Sequence, residues 1–274
     1  ETINLEIEIE NLGSEIASNI QIVLSNPNLD PYVNLIDSNV LISSLDPGEI
    51  TSVNLSFYIG ENAPYGHNFT LIASMDSEES SWETTYQLNV EPLVEYFNSA
   101  SFDEFLWEFS GDGNWVIDGN EFIGDSYSAQ SGTIDHNMTS DLLLTMDIAE
   151  DGQIIFDKKV SCEDVGSQTG NYYDYLAFYI DGEEQAKWAG EINWSQNSFS
   201  VSQGEHTFLW RYNKDQGVSS GQDAGWIDNI VFPPSYYASI LYGDVNDDGN
   251  ICESLLSIDN IVTPYYFGID AIFP

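Results

Sequence analysis

The sequence predicts an all-β protein: an immunoglobulin-like sandwich over residues 1–92, a jelly-roll β-sandwich over 93–234, and a short tail over 235–274. Three observations predict it. Apolar side chains alternate with period two along most segments, no stripe at helical spacing interrupts them, and turn-forming residues divide the segments at short intervals.

In the opening segment Ile3, Leu5, Ile7 and Ile9 face one side and Asn4, Glu6, Glu8 and Glu10 the other, the pattern of a half-buried strand. Asn11-Leu12-Gly13 turns the chain toward a second strand over 20–24. In Asp46-Pro47-Gly48 the proline fixes φ and the glycine admits positive φ, which makes a turn. Alternation resumes at Val53, Leu55, Phe57 and Ile59, then at Phe69, Leu71, Ala73 and Met75. It ends at Trp82, Thr84, Tyr86, Leu88 and Val90. About seven short strands of this kind make an immunoglobulin-like sandwich.

Glu91-Pro92-Leu93 marks the seam. Beyond it strands are expected over 142–148, 153–160, 173–180, 198–202, 206–212 and 226–232, punctuated by Asp181-Gly182 and Gln203-Gly204. Pro233-Pro234 ends the unit, because neither proline can donate to a sheet ladder. An all-β unit of this size closes naturally as a jelly roll.

Five basic residues stand against 46 acidic ones, for a formal charge of -41, and all five lie between Lys158 and Lys214. So anionic a chain repels phosphate, which excludes nucleic acid and anionic membrane surfaces as partners. No apolar run reaches the roughly 18 residues that membrane insertion needs. Most of the carboxylates read as a solvated coat, suited to a salty or calcium-rich medium outside a cell. Sequons at Asn54, Asn68, Asn137 and Asn193 are compatible with secretion. The opening directly on a strand suggests a fragment or processed form of a longer chain. Cys162 and Cys252 either bridge a long loop or remain separate buried thiols. No CxxC pair supports zinc-ribbon or thioredoxin chemistry.

The middle unit carries specific text. Trp107 and Trp115 flank Ser110-Gly111; then come Tyr127-Ser128-Ala129-Gln130-Ser131-Gly132, Ile155-Phe156-Asp157-Lys158-Lys159-Val160-Ser161, and Tyr173-Asp174-Tyr175-Leu176-Ala177-Phe178-Tyr179-Ile180-Asp181-Gly182. Gly204-Glu205-His206-Thr207-Phe208-Leu209-Trp210-Arg211-Tyr212 follows, and Asp223-Ala224-Gly225-Trp226-Ile227-Asp228-Asn229-Ile230-Val231-Phe232-Pro233 closes the unit. This text resembles the MAM-like jelly-roll domains of bacterial secreted multidomain proteins. It is similar to the cleaved-adhesin domains that accompany gingipain-type cysteine peptidases.

The resemblance implies a non-catalytic extracellular sandwich, often stabilised by calcium, that binds protein, glycan or cell surface. It also implies a calcium site where the first and last strands meet. Asp228 matches the acid of the closing motif, while Phe97-Asn98 stands where Phe-Glu is usual, so Asn98 offers a carbonyl without a charge. Asp125, Asp174 and Glu163 are further hard-oxygen candidates, although Asp174 and Asp228 equally suit turn and edge backbone donors. The first unit resembles CARDB-type immunoglobulin-like spacers, carried by Asn11-Leu12-Gly13 and the alternating strand before it.

In the tail, Tyr242-Gly243-Asp244-Val245-Asn246-Asp247-Asp248-Gly249-Asn250-Ile251 resembles the calcium loop of a dockerin or EF-hand. Asp244, Asn246 and Asp248 alternate as side-chain ligands, Gly249 takes the sharp turn, and Asn250 offers its carbonyl. Leu255 stands where a bidentate acid is usual, and Asp259 is an acid beyond it, so the expected calcium loop is an altered one.

No enzyme is expected. The chain has only His67, His136 and His206, it lacks G-x-S-x-G and H-E-x-x-H, and Cys162 sits beside Glu163. Trp188, Trp194 and Tyr179 are candidate platforms for stacked sugars, although strand aromatics also pack cores. The expectation is therefore a calcium-stabilised, non-catalytic segment of a larger secreted or surface protein, a peptidase among the candidates. It would adhere to or target a protein or glycan on a cell surface or matrix. The alternative is structural: a free first strand from Ile3 to Ile9 adds to neighbours and polymerises into a calcium-dependent fibre or surface layer.

Overall fold

The computed structural model describes residues 2–78, 81–166 and 170–236. Residues 2–63 and 68–90 form one unit, and residues 64–67 with 91–236 form the other. No helix among the described residues is long and apolar enough to cross a membrane.

The first unit is an antiparallel sandwich of seven strands: β1 (Thr2–Glu10), β2 (Ala17–Ser25), β3 (Val33–Leu35), β4 (Asn39–Leu45), β5 (Ile50–Ile59), β6 (Asn68–Asp76) and β7 (Ser81–Asn89). Its two sheets have the orders β1-β5-β3 and β4-β2-β6-β7. The expected alternation sets the core: Ile7 and Ile9 from β1, Val53, Leu55 and Phe57 from β5, and Phe69, Leu71 and Ala73 from β6 are buried together. The turns form as their residues dictate. Gly48 takes φ 75° while the Glu49 N–H donates to the Asp46 carbonyl at 2.9 Å. Asn11 closes its own turn by accepting from the Gly13 N–H at 2.9 Å. β1 is an edge strand: it pairs with β5 on one side, in unbroken register from Thr2↔Tyr58 to Glu10↔Ile50, and with no other strand among the described residues. Glu6 and Glu8 on it are exposed, and charged side chains of this kind discourage a further strand.

The second unit holds β8 (Val94–Glu95), β9 (Glu108–Gly111), β10 (Val116–Asp118), β11 (Ser128–Gln130), β12 (Thr139–Ile148), β13 (Gly152–Ser161), β14 (Tyr175–Ile180), β15 (Glu183–Trp188), β16 (Glu191–Val201), β17 (Gly204–Asn213) and β18 (Ala224–Val231). One antiparallel sheet runs β10-β11-β18-β13-β16 with β8 also on β18; the other runs β15-β14-β17-β12-β9. β12, β13 and β17 cover the expected segments; β14, β16 and β18 overlap theirs but leave residues 173–174, 202 and 232 outside, and β16 starts seven residues earlier than expected. β8 to β11 and β15 add strands that the periodicity did not mark.

The two sheets of this unit meet over an aromatic core. Phe208, Trp210 and Tyr212 point inward from β17, Phe178 from β14 and Phe156 from β13, all fully buried. Phe156 and Phe178 meet edge to face at 4.9 Å between centroids, and Trp107 meets Trp210 at 5.9 Å, within the range where such pairs add to simple burial. Gly111 ends β9 at φ 83°, where a Cβ would lie 2.4 Å from the Thr139 carbonyl oxygen, so only glycine lets β9 lie this close to β12. The sequon asparagines Asn54, Asn68, Asn137 and Asn193 are all exposed.

Candidate functional site

On β14 the inward turn of Leu176, Phe178 and Ile180 leaves Ala177 and Tyr179 on the outer face of the five-stranded sheet by alternation, with Tyr175 at the strand's start half-buried and also packed against the core. Register then builds a row across all five strands: Lys187 on β15 pairs with Ala177, Ala177 with Arg211, Arg211 with Asp141, and Asp141 with Ser110. Ala177 faces outward and is nevertheless 0% exposed, because the longer side chains around it close over it.

Those side chains are three tyrosines and two cations. The Lys187 ammonium lies 5.0 Å from the Tyr172 ring centroid and 5.5 Å from that of Tyr175. The Arg211 guanidinium lies 5.8 Å from the Tyr179 ring. All three distances are within reach of the ring quadrupole, so the two cations steady the three rings. Glu184 completes the set: it pairs with Lys187 at 3.1 Å and accepts from the Tyr179 hydroxyl at 3.4 Å. The β14–β15 register shifts between Phe178 and Tyr179, a bulge that re-aims the side chain at this point. Burial pushes the Tyr179 phenol above its ordinary range, so it stays a neutral donor. Lys187 with Glu184 and Arg211 with Asp141 leave the patch locally neutral despite the anionic chain. Amphipathic rings rimmed by paired donors and acceptors suit a ligand with apolar faces and many hydroxyls.

Of the aromatic residues expected from sequence, Tyr179 belongs to this patch. Trp188 instead packs edge to face on Phe156 at 6.3 Å between centroids, lies 6.5 Å from Phe199, and carries the Lys158 ammonium at 5.1 Å over its ring. It seals the core edge. Trp194 stands half-buried on β16, in the other sheet. Tyr172 and Tyr175 were missed. Their signal lay in Tyr172-Tyr173-Asp174-Tyr175-Leu176-Ala177-Phe178-Tyr179, where strand alternation puts Tyr175 and Tyr179 on one side.

The acids expected to hold calcium fall into three places. Near the meeting of first and last strands, both Asp228 oxygens accept backbone donors: Oδ2 from Ile123 at 3.0 Å and Oδ1 from Asn229 at 2.8 Å. Asn98 donates its amide to Asp125 at 2.8 Å. An ion there has to compete with these donors. A second buried acid of the junction, beside Asp228, is Glu95, opposite Ile230 on β18, accepting from the Phe97 N–H at 2.6 Å and Trp107 Nε1 at 3.3 Å. No motif in the sequence marks it. Burial pushes Glu95 up to about 7 and Asp228 up to about 6.

The second place is before β14 and after β17. Asp174 is 0% exposed, and Glu163, Asp174 and Asp215 bring carboxylate oxygens within 4.8 Å of one another. Cys162 lies beside them as a buried thiol donating to the Asp174 carbonyl at 3.3 Å, with its pKa pushed up to about 12 by burial. The third place, Asp244, Asn246, Asp248, Asn250 and Asp259 of the tail, lies outside the described residues, as does Cys252.

Ser202, His206 and Asp181 reproduce the order of a nucleophile, base and acid: Ser202 Oγ is 3.3 Å from His206 Nε2, and Nδ1 is 2.7 Å from Asp181 Oδ2. The trio does not assemble a nucleophile. Nε2 lies closer to the Ser202 carbonyl oxygen, at 2.9 Å, than to the hydroxyl, and Ser202 Oγ is not aligned as a dedicated partner of that nitrogen. The next backbone N–H, of Gln203, is spent on Asp151 at 2.8 Å and offers nothing to an oxyanion.

No family model matches the chain, and no curated protein matches it. Among solved structures, the secreted serine protease VesC from Vibrio cholerae is 12% identical with a TM-score of 0.38 over 86% of this chain and 48% of its own, so the chain spans about half that protein. The K3 cleaved adhesin domain of Lys-gingipain from Porphyromonas gingivalis is 12% identical, with a TM-score of 0.37 over 51% of this chain and 97% of that one. The CBM22-1 xylan-binding domain of Paenibacillus barcinonensis Xyn10C is 15% identical, with a TM-score of 0.35 over 53% and 95% of the two chains. Likeness this distant carries no argument about what the site does.

Proposed function

We propose that the chain is a non-catalytic, extracellular binding segment of a larger secreted or surface protein. It holds neutral glycans on the outer face of the five-stranded sheet. The observation that carries this reading is the patch of Tyr172, Tyr175 and Tyr179 steadied by Lys187 and Arg211 over the covered Ala177. Sugar C–H faces stack on the tyrosine rings while Glu184 and Ser110 meet hydroxyls at the rim, with Asp141 buried beneath as the anchor of Arg211. The local charge is balanced and the surrounding field is strongly anionic, so sulfated or uronate-rich polymers are repelled. The role is adhesion or targeting: the segment brings its parent protein to a glycan-bearing cell surface or matrix.

Screening the chain against an array of neutral oligosaccharides, followed by calorimetric titration, tests the reading. At least one glycan should bind, and Tyr175→Ala or Tyr179→Ala should each weaken it roughly tenfold, the equivalent of about 1.4 kcal/mol, with the far-UV spectrum retained. Binding indifferent to both substitutions, or no glycan bound at all, overturns it.

A further inference from the structure

We infer that Glu163, Asp174 and Asp215 form a site for one hard divalent cation of the calcium class, at the joint between the start of β14 and the end of β17. This inference stands apart from the glycan reading and rests on different residues.

The first observation is geometric. The three carboxylates come from three separate stretches of chain and place oxygens within 4.8 Å of one another. Calcium–oxygen distances are about 2.3–2.6 Å, so ligands facing each other across the ion stand up to about 5 Å apart. The triad falls within that span.

The second observation is an unmet polar atom. Asp174 is wholly buried; its Oδ1 accepts the Asp215 N–H at 2.9 Å, and its Oδ2 has no hydrogen-bond partner. A buried carboxylate oxygen without donor or counter-ion is costly, and native folds retain one where something outside the chain satisfies it. The third observation is the charge balance. All five cations of the chain are committed elsewhere: Lys158 to Ser195, Lys159 to Glu121, Lys187 to Glu184, Arg211 to Asp141, and Lys214 to Asp223 and Ser219. Burial pushes the Asp174 carboxyl above its ordinary range, and Lys214, near enough to oppose that shift, directs its ammonium to the Asp223 carboxylate. The triad's three negative charges are therefore left without a cation of their own.

An oxygen-only donor set selects hard ions over zinc or copper. Glu163 and Asp215 are half-buried, so waters reach the open side and complete the six to eight ligands that calcium takes. The ion ties the segment carrying Glu163 to the first residue before β14 and to the turn after β17.

The test uses the full chain with Asp244→Asn and Asp248→Asn, so that the tail acids do not report. After chelation, calorimetric titration with calcium chloride should give one ion per chain. A hundredfold excess over Kd should raise the melting temperature of the second unit by roughly 5–10 °C. Asp174→Asn should weaken binding at least tenfold. If that variant does not fold, Glu163→Gln, at a half-buried position outside any strand, should weaken it severalfold with the fold intact. The inference is overturned if the tail-neutralised chain binds no calcium, or binds it with an affinity that neither Asp174→Asn nor Glu163→Gln changes.

Discussion

Arg211 on β17 and Asp141 on β12 are register partners joined by two hydrogen bonds, Nε to Oδ1 at 2.7 Å and Nη2 to Oδ2 at 2.6 Å. The pair is unequal: the Asp141 side chain is 4% exposed and that of Arg211 35%. Removing either partner therefore has different consequences. Arg211→Met strands a buried carboxylate with only the Ser110 hydroxyl, at 3.0 Å, and should cost about 3–5 kcal/mol. Asp141→Asn leaves a guanidinium that water still reaches and should cost about 1–3 kcal/mol. Urea denaturation of both variants measures the order; an Asp141→Asn loss larger than that of Arg211→Met contradicts the account.

Glu95 gives the second unit a pH dependence of defined sign. Its folded-state pKa is pushed by burial from 4.5 up to about 7, against the pull of the Phe97 and Trp107 donors. Between those two values the folded state binds the proton that the unfolded chain has released. The stability this group contributes is thus fully present below pH 4.5 and lost as pH rises through about 7, with no further change above. A shift of this size corresponds to about 3 kcal/mol. Subtracting the stability–pH profile of Glu95→Gln from that of the wild type should isolate a decline across this window. A flat difference, or one that climbs with pH, rejects the assignment.

Alternation along a strand reveals which side a residue faces but not how deep it lies, and β1 separates the two. Ile3, Ile7 and Ile9 share a face in the sequence, yet Ile3 is 38% exposed while Ile9 lies in the core at 3%. Ile9→Ala should cost about 2–5 kcal/mol, and Ile3→Ala well under about 1 kcal/mol. Equal losses in chemical denaturation would show that β1 is uniformly packed or uniformly frayed.

The same limit explains what was legible in the sequence. Long strands such as β5, β6, β12 and β17 carry enough positions for a period to register, and their segments were anticipated. β3, β10 and β11 have three residues each and β8 two, too few for any period, so tertiary pairing alone defines them. Ala177 shows the matching limit for the site: only register across β15, β14 and β17 brings Lys187 and Arg211 beside it. Asp174 was named as a hard-oxygen candidate with Glu163, but Asp215 joins them only because β17 ends beside the start of β14, a relation without a local signature. At the junction the sequence points to Asp228 and Asn98; Asp228 is buried there, and a second buried carboxylate, Glu95, emerges only from pairing with β18.

Trp188 and Tyr179 offer the sharpest separation of packing from binding, because both are aromatic residues on neighbouring strands of one sheet. Trp188 meets Phe156 edge to face and sits under the Lys158 ammonium, which is 3% exposed and bonded to Ser195 Oγ at 2.5 Å. Burial lowers the Lys158 pKa, so the ring face that steadies its charge matters to the fold. Trp188→Ala removes that face and opens a void beside Phe156 and Phe199. It should cost about 3–5 kcal/mol while leaving the glycan affinity of the remaining folded protein within about twofold. Tyr179→Ala should do the reverse, with a small stability loss and a roughly tenfold fall in affinity. Thermal denaturation and glycan titration run on both variants decide it: an affinity loss in Trp188→Ala as large as that in Tyr179→Ala would move the binding surface to the β15 edge of the sheet.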